Sequence, residues 1–198
     1  MPQSTSKLGE HRNDKPEPNG YAPFNHTQTD NLTPNDKYPA TRTPDDAFQA
    51  LFKRNQWVCW RFLERAGKKP AKVPIDPRTG TSASPTDPKT WGSYESVLAA
   101  KEEHGCDGIG FVLTAEDPYT VVDLDECIDL ETGELAGWAA KIVEEFDSYT
   151  ELSPSRTGLH IWVLGRLLED GKRKEPVEAY SARRYVTFTG QRLGGSGD

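Results

Sequence analysis

Cysteine is scarce and unpaired in this chain of 198 residues: Cys59, Cys106 and Cys127 are odd in number, widely spaced and without a CxxC pair. That excludes a disulfide framework and a standard zinc knuckle, and it fits an intracellular protein. Long apolar runs are also missing. The N-terminus has no apolar core of the signal-peptide kind, and no stretch approaches the ~20 residues that cross a bilayer. The expectation is a soluble, cytoplasmic protein with no membrane partner. Nor is there an excess of positive charge, since 24 Lys and Arg stand against 31 Asp and Glu, a formal net charge of -7. A globally basic nucleic-acid clamp is therefore excluded. Nucleic-acid chemistry is not, because a site that holds divalent cations needs carboxylates, and phosphate contacts can be confined to local basic patches.

Aliphatic residues are almost absent from residues 1–41, which carry six prolines and many Asn, Thr and Ser. Such a segment buries too little apolar surface to offset the entropy of ordering, so a disordered polar tail is expected over 1–41 and a single folded domain over 42–198. Thr43-Pro44-Asp45-Asp46 offers the first helix start, with an N-cap hydroxyl, a proline where no N–H is needed and acids at the positive end of the helix dipole.

Beyond it, helix and strand patterns alternate, which predicts an α+β (mixed α/β) domain around one mixed sheet. A helix ending at Ala47–Arg54 is followed by a strand over Gln56–Phe62, with Trp57 and Trp60 as core. Lys68–Trp91, rich in Pro, Thr, Ser and Lys, reads as an ordered loop. Ser93 caps a helix whose Tyr94, Val97 and Leu98 share a face. Buried strands are expected at Gly108–Leu113 and Tyr119–Leu124, then a helix over Ala136–Phe146 with Trp138, Ile142 and Phe146 as a packing stripe. Four strands complete the sheet: Tyr149–Leu152, Leu159–Leu164, Val177–Tyr180 and Tyr185–Thr189. His104 and Cys106 are read as part of a turn before a buried strand rather than as a metal pair.

Three signals carry chemistry. In Val121-Val122-Asp123-Leu124-Asp125 an apolar strand ends in two acids that project from one face about 7 Å apart. Carboxylates so close repel unless cations lie between them, and Mg²⁺ or Mn²⁺ are hard ions that take such oxygen ligands together with substrate phosphates. A calcium loop counted from Asp123 would place Asp125, Asp129 and Glu134 suitably, but its sixth position, which calls for Gly, is Ile128. The second signal, Ser153-Pro154-Ser155-Arg156-Thr157-Gly158-Leu159-His160, is a hydroxyl-rich turn whose side chains and backbone N–H groups suit a triphosphate, with His160 on the adjoining strand. A polar turn with a satisfied histidine is the plainer alternative. The third is Glu178 inside the short strand Pro176-Val177-Glu178-Ala179-Tyr180, followed by Arg183, Arg184 and Tyr185, residue types suited to phosphate pairing and stacking. Two basic clusters, Arg65, Lys68, Lys69 and Lys72 before a strand and Arg166, Lys172, Arg173 and Lys174 in a later loop, are candidate phosphate contacts or simply solvated surface. A P-loop fails between Gly165 and Arg173, because the glycine spacing is one too long and Lys172 precedes Arg173 instead of Ser or Thr.

In this order the three signals resemble the archaeo-eukaryotic primase superfamily. The fragments Asn55-Gln56-Trp57-Val58, Lys72-Val73-Pro74-Ile75-Asp76-Pro77, Ser84-Pro85-Thr86-Asp87-Pro88, Gly108-Ile109-Gly110-Phe111, Asp123-Leu124-Asp125, Ser153-Pro154-Ser155 with Gly158-Leu159-His160, and Arg184-Tyr185 with Thr189-Gly190 are similar to phage and plasmid bifunctional primase-polymerase domains over roughly 48–192. The resemblance implies an RRM-like mixed sheet joined to a smaller α/β unit. It implies nucleotidyl transfer, in which a primer 3′-hydroxyl attacks the α-phosphorus of a nucleoside triphosphate and pyrophosphate leaves. Asp123, Asp125 and Glu178 would bind two divalent metals, Mg²⁺ or Mn²⁺, with no organic cofactor. His160 would contact the triphosphate, Ser153, Ser155, Arg156, Thr157 and Arg184 would contact phosphates, and Tyr185 would approach sugar or base. DNA template, primer and nucleotides would be the partners, and relatives of this type often continue into a helicase or a helical accessory domain. The alternatives are a nucleotide- or single-strand-binding replication or defence module of the same fold without synthesis, and a metal-dependent nuclease.

Overall fold

The computed structural model describes residues 44–168 and 171–194, with side chains from residue 48 onward. The expected polar tail over 1–41 and the Thr43 cap lie outside the described residues. A helix does begin at Pro44: α1 spans Pro44–Leu51, followed by strands β1 (Trp57–Arg65) and β2 (Lys68–Ile75), helix α2 (Tyr94–Glu103), and strands β3 (Gly108–Leu113) and β4 (Tyr119–Leu124). Helix α3 (Gly137–Phe146) then leads to β5 (Thr150–Leu152), β6 (Leu159–Leu164), β7 (Gly171–Lys174), β8 (Val177–Tyr180) and β9 (Arg184–Phe188).

The strands form two sheets, a four-stranded one in the order β2-β1-β3-β9 and a five-stranded one in the order β5-β6-β4-β8-β7. The α+β class holds, but the single mixed sheet does not: the ladders of both sheets are antiparallel. Short reversals set this outcome. Lys68–Trp91 is not all loop, because its first eight residues form β2 and hairpin back onto β1 through a turn with Gly67 at φ 67°, a left-handed conformation that Gly adopts without a Cβ clash. The Arg166 to Lys174 loop likewise contains β7, which pairs with β8.

Strand alternation divides each sheet into two faces. Tyr119 and Val121 of β4, Trp162 of β6 and Tyr180 of β8 share a core with Trp57, Cys59, Phe111, Leu113, Val186 and Phe188 of the first sheet, and with Phe48, Leu51, Val97 and Ala100 of α1 and α2. Aromatic rings dominate this core: Phe48 stacks on Tyr149 at 3.9 Å, and Trp57 meets Phe188 edge-on at 5.3 Å, the edge-to-face geometry that ring quadrupoles favour. The opposite face of β4 and β6, with Val122, Leu124, Leu159 and Ile161, is covered by Ala139, Ile142 and Val143 of α3.

Two helix stripes need correction. Ser93 caps α2 as expected, accepting from the Ser96 N–H at 3.2 Å, but Val97 and Ala100 are the buried pair and Leu98 is exposed. In α3, Trp138 and Phe146 are partly exposed, and the packing stripe is Ala139, Ile142 and Val143. Trp57 and Trp60 are core. All three cysteines are free and buried, and burial pushes the thiol of Cys59 up to about 12 and that of Cys127 up to about 11. No helix among the described residues is long and apolar enough to cross a membrane.

Candidate active site

The site follows from register. On β4, Asp123 pairs with His160 of β6 on one side and with Glu178 of β8 on the other. His160 in turn pairs with Glu151 of β5, and Glu178 with Arg173 of β7. Residues directly opposite in a ladder project from the same face. One row thus crosses the five-stranded sheet as Glu151, His160, Asp123, Glu178 and Arg173, on the face that carries the aromatic core. The row lies where that core gives way to polar surroundings: Glu151 is fully buried, His160 nearly so, and the side chain of Asp123 is 26% exposed.

Asp125 follows one residue after β4, its N–H donating to the Pro176 carbonyl at 2.9 Å, which ties it to the start of β8. Burial, then the charges of Asp123 and Glu178, raise its carboxyl above the usual range. Glu178 accepts a short hydrogen bond from the Tyr180 hydroxyl and lies 3.8 Å from Arg173 Nε. The Tyr180 ring is flanked by two guanidinium groups, Arg184 at 4.5 Å and Arg173 at 5.5 Å from its centroid. Desolvation, then the bond to Glu178, pushes Tyr180 up to about 12.

The hydroxyl turn packs onto the end of β4. Ser153 Oγ, Ser155 Oγ and Thr157 Oγ1 are linked in series at 2.9 and 2.8 Å, and Arg156 takes the left-handed conformation at φ 63°. The Thr157 carbonyl accepts from the Cys127 and Ile128 N–H groups at 2.7 and 3.0 Å, fastening this turn to the one after the DxD pair. Gly158 is needed for the close approach, because a Cβ there would meet the Leu124 carbonyl oxygen at 2.6 Å. Asp129 instead accepts from the Glu131 and Thr132 N–H groups at 2.8 and 3.1 Å, a local turn that gives the calcium-loop reading no support.

The basic residues divide. Lys68 and Lys69 are exposed near the tip of the β1–β2 hairpin, and Lys69 Nζ lies 3.6 Å from Glu126 beside Asp125. Lys72 is nearer the site: burial lowers its ammonium pKa, and the charges of Asp123 and Asp125 oppose that shift. Arg173 joins the acid row, whereas Lys172, paired with Ala179, alternates to the other face. Arg184 faces Tyr180, but Tyr185 lies on the other side of β9, against Val58, Trp91 and Val112, with its hydroxyl donating to the Lys72 carbonyl at 2.5 Å.

Asp123, Asp125 and Glu178 could hold a hard divalent cation by the chemistry of their oxygens. Among the described residues no three Asp, Glu, His or Cys side chains are gathered into a ready-made cage. Glu151 and Tyr180 escaped the sequence reading. The signal for Glu151 was a lone acid in Tyr149-Thr150-Glu151-Leu152, on the same side of the strand as Tyr149.

No protein-family model matches the chain. It is 37% identical over 158 residues to the DNA primase-polymerase of Nitratiruptor phage NrS-1, a match that covers 77% of this chain and 21% of that protein. The chain thus spans about a fifth of the length of this curated relative. Identity at that level, over most of the chain, makes it a homologue of one segment of a phage DNA primase-polymerase, the family that its motifs resemble.

Proposed function

We propose that this domain is a template-directed nucleotidyltransferase, a DNA primase, a DNA polymerase or both, serving replication of a phage, plasmid or other mobile element. The observation that carries the reading is the ladder row in which Asp123 lies between Glu178 and His160, with the Ser153–Gly158 turn packed against the end of the same strand. The name of the phage relative supports it. So does the strand order β5-β6-β4-β8, with α3 between β4 and β5, which is that of an RRM-like half and fits the archaeo-eukaryotic primase fold.

Asp123, Asp125 and Glu178 are the proposed ligands of two divalent cations, Mg²⁺ or Mn²⁺. When bound, such ions lower the pKa of an attacking hydroxyl and neutralise charge on a triphosphate. The acids act as ligands rather than proton carriers. His160, Arg184, the Arg156 guanidinium and the hydroxyl groups of Ser153, Ser155 and Thr157 hold the phosphates and stabilise the charge that develops as pyrophosphate leaves. Arg173 and Tyr180 keep the Glu178 carboxylate in place from the β7 side. Tyr185 supports the β2 backbone at Lys72, and Lys68 and Lys69 on the hairpin face the nucleic-acid backbone. Binding assays separate the rival activities: triphosphate binding that depends on metal but comes without DNA affinity points to a binding module, and strand cleavage without nucleotide points to a nuclease.

A further inference from the structure

Glu151 is a fully buried carboxylate, and a buried charge is costly unless donors surround it. Its Oε2 accepts from the Gly190 N–H at 2.8 Å, the Thr189 N–H at 3.2 Å and the Tyr149 hydroxyl at 3.4 Å. Its Oε1 has one long contact, from the Trp162 indole N–H at 3.4 Å. Directly across the ladder, His160 Nδ1 lies 3.5 Å from that same Oε1. The separation is within ion-pair range but not aligned as a hydrogen bond, so Nδ1 is buried without a hydrogen-bond partner. The other ring nitrogen, Nε2, lies 3.7 Å from Asp123 Oδ1.

We propose that Glu151 is a positioning residue for His160: its Oε1 takes the Nδ1–H, which fixes the ring and, with both ring nitrogens carrying protons in the nucleotide complex, aims the Nε2–H at a phosphate oxygen of the incoming triphosphate. The assignment rests on His160 being a triphosphate contact. A small rotation that aligns Nδ1–H with Oε1 satisfies the orphaned nitrogen and fills the less occupied oxygen together. Such a carboxylate behind a functional imidazole fixes the ring plane and holds the proton on Nδ1. A purely structural clip between β5 and Thr189-Gly190 would not need an acid, since a glutamine oxygen also accepts those two N–H groups. Glutamine fails on the other side, where its NH₂ would face the Trp162 N–H and the Nδ1–H, donor against donor.

The test combines a spectrum with a mutant cycle. In ¹⁵N-histidine NMR of the wild-type chain, His160 Nδ1 carries a proton; a bare Nδ1 overturns the proposal whether or not any variant folds. In Glu151→Gln that proton moves off Nδ1, and affinity for a non-hydrolysable nucleoside triphosphate with Mg²⁺ falls on the order of tenfold, the usual cost of losing a carboxylate behind a ligating histidine. Added to His160→Ala, the same change costs no further affinity, because it acts through the ring. Losses that simply add, or an unchanged His160 spectrum in Glu151→Gln, overturn it. If the wild type bound no triphosphate, the functional reading would fail, and the spectrum would still decide the Glu151–His160 contact.

Discussion

Asp123 and Glu178, far apart in sequence, stand directly opposite each other across the β4–β8 ladder. Like charges in that position destabilise an antiparallel pair, and Asp125 adds a third acid at the end of the same strand. Arg173 and Tyr180 offset the charge from one side and Lys72 from another, yet Asp125 still titrates above its ordinary range. A sheet gains no stability from this arrangement.

Removing one of these charges should therefore stabilise the fold while destroying function. Because the folded state raises the Asp125 pKa above 3.8, the folded chain holds that proton more tightly than the unfolded one. The penalty is absent below the unfolded value and fully present once pH exceeds the folded value. Asp125→Asn should raise the Tm at pH 7 in EDTA, and the gain should vanish toward pH 3. A lower Tm at pH 7 would contradict the electrostatic account.

Gly158 is the contact point between the hydroxyl turn and the DxD strand, and a Cβ on it would lie 2.6 Å from the Leu124 carbonyl oxygen. Gly158→Ala should cost about 1–3 kcal/mol, the usual range for overpacking, measured by urea unfolding. It should also weaken triphosphate binding, since the turn and Asp125 must move apart.

The hairpin tip makes a separable prediction. Lys68 and Lys69 are exposed, and the Lys69–Glu126 pair is solvated on both sides, so neither contributes much to stability. Lys68→Glu/Lys69→Glu should leave the Tm and triphosphate affinity unchanged. It should weaken primer-template binding and flatten the log K against log salt slope by roughly 0.9 per lost duplex phosphate contact. An unchanged slope would remove the hairpin from the interface.

What the sequence disclosed and what it hid divide along the sheet. β3, β4, β6 and β8 matched their expected bounds, because their apolar residues and clear turn signals leave little ambiguity. The two strands it hid, β2 and β7, are both edge strands. Lys68–Ile75 has prolines at 70 and 74, and Gly171–Lys174 is nearly all cationic. Proline is tolerated and charge is favoured where one side of a strand is unpaired, so composition there imitates loop. Asp123, Asp125, His160 and Glu178 were legible as motifs. The meeting of Asp123, His160 and Glu178 in one row was not, because register is set by pairing between distant segments rather than by local pattern. Glu151 and Tyr180 were hidden for the same reason: each has meaning only through a cross-strand or ring neighbour.

The central claim is that the carboxylates joined by this row carry out metal-dependent nucleotide addition. Its most direct test is extension of a labelled primer on a DNA template, with Mg²⁺ or Mn²⁺ and either deoxy- or ribonucleotides, by the wild-type chain and by Asp123→Ala/Asp125→Ala. The account predicts extension that requires both metal and template and is abolished in a double variant whose Tm is no lower than wild type. Extension that persists in the folded double variant, or none by a wild-type chain that binds triphosphate tightly, would contradict it.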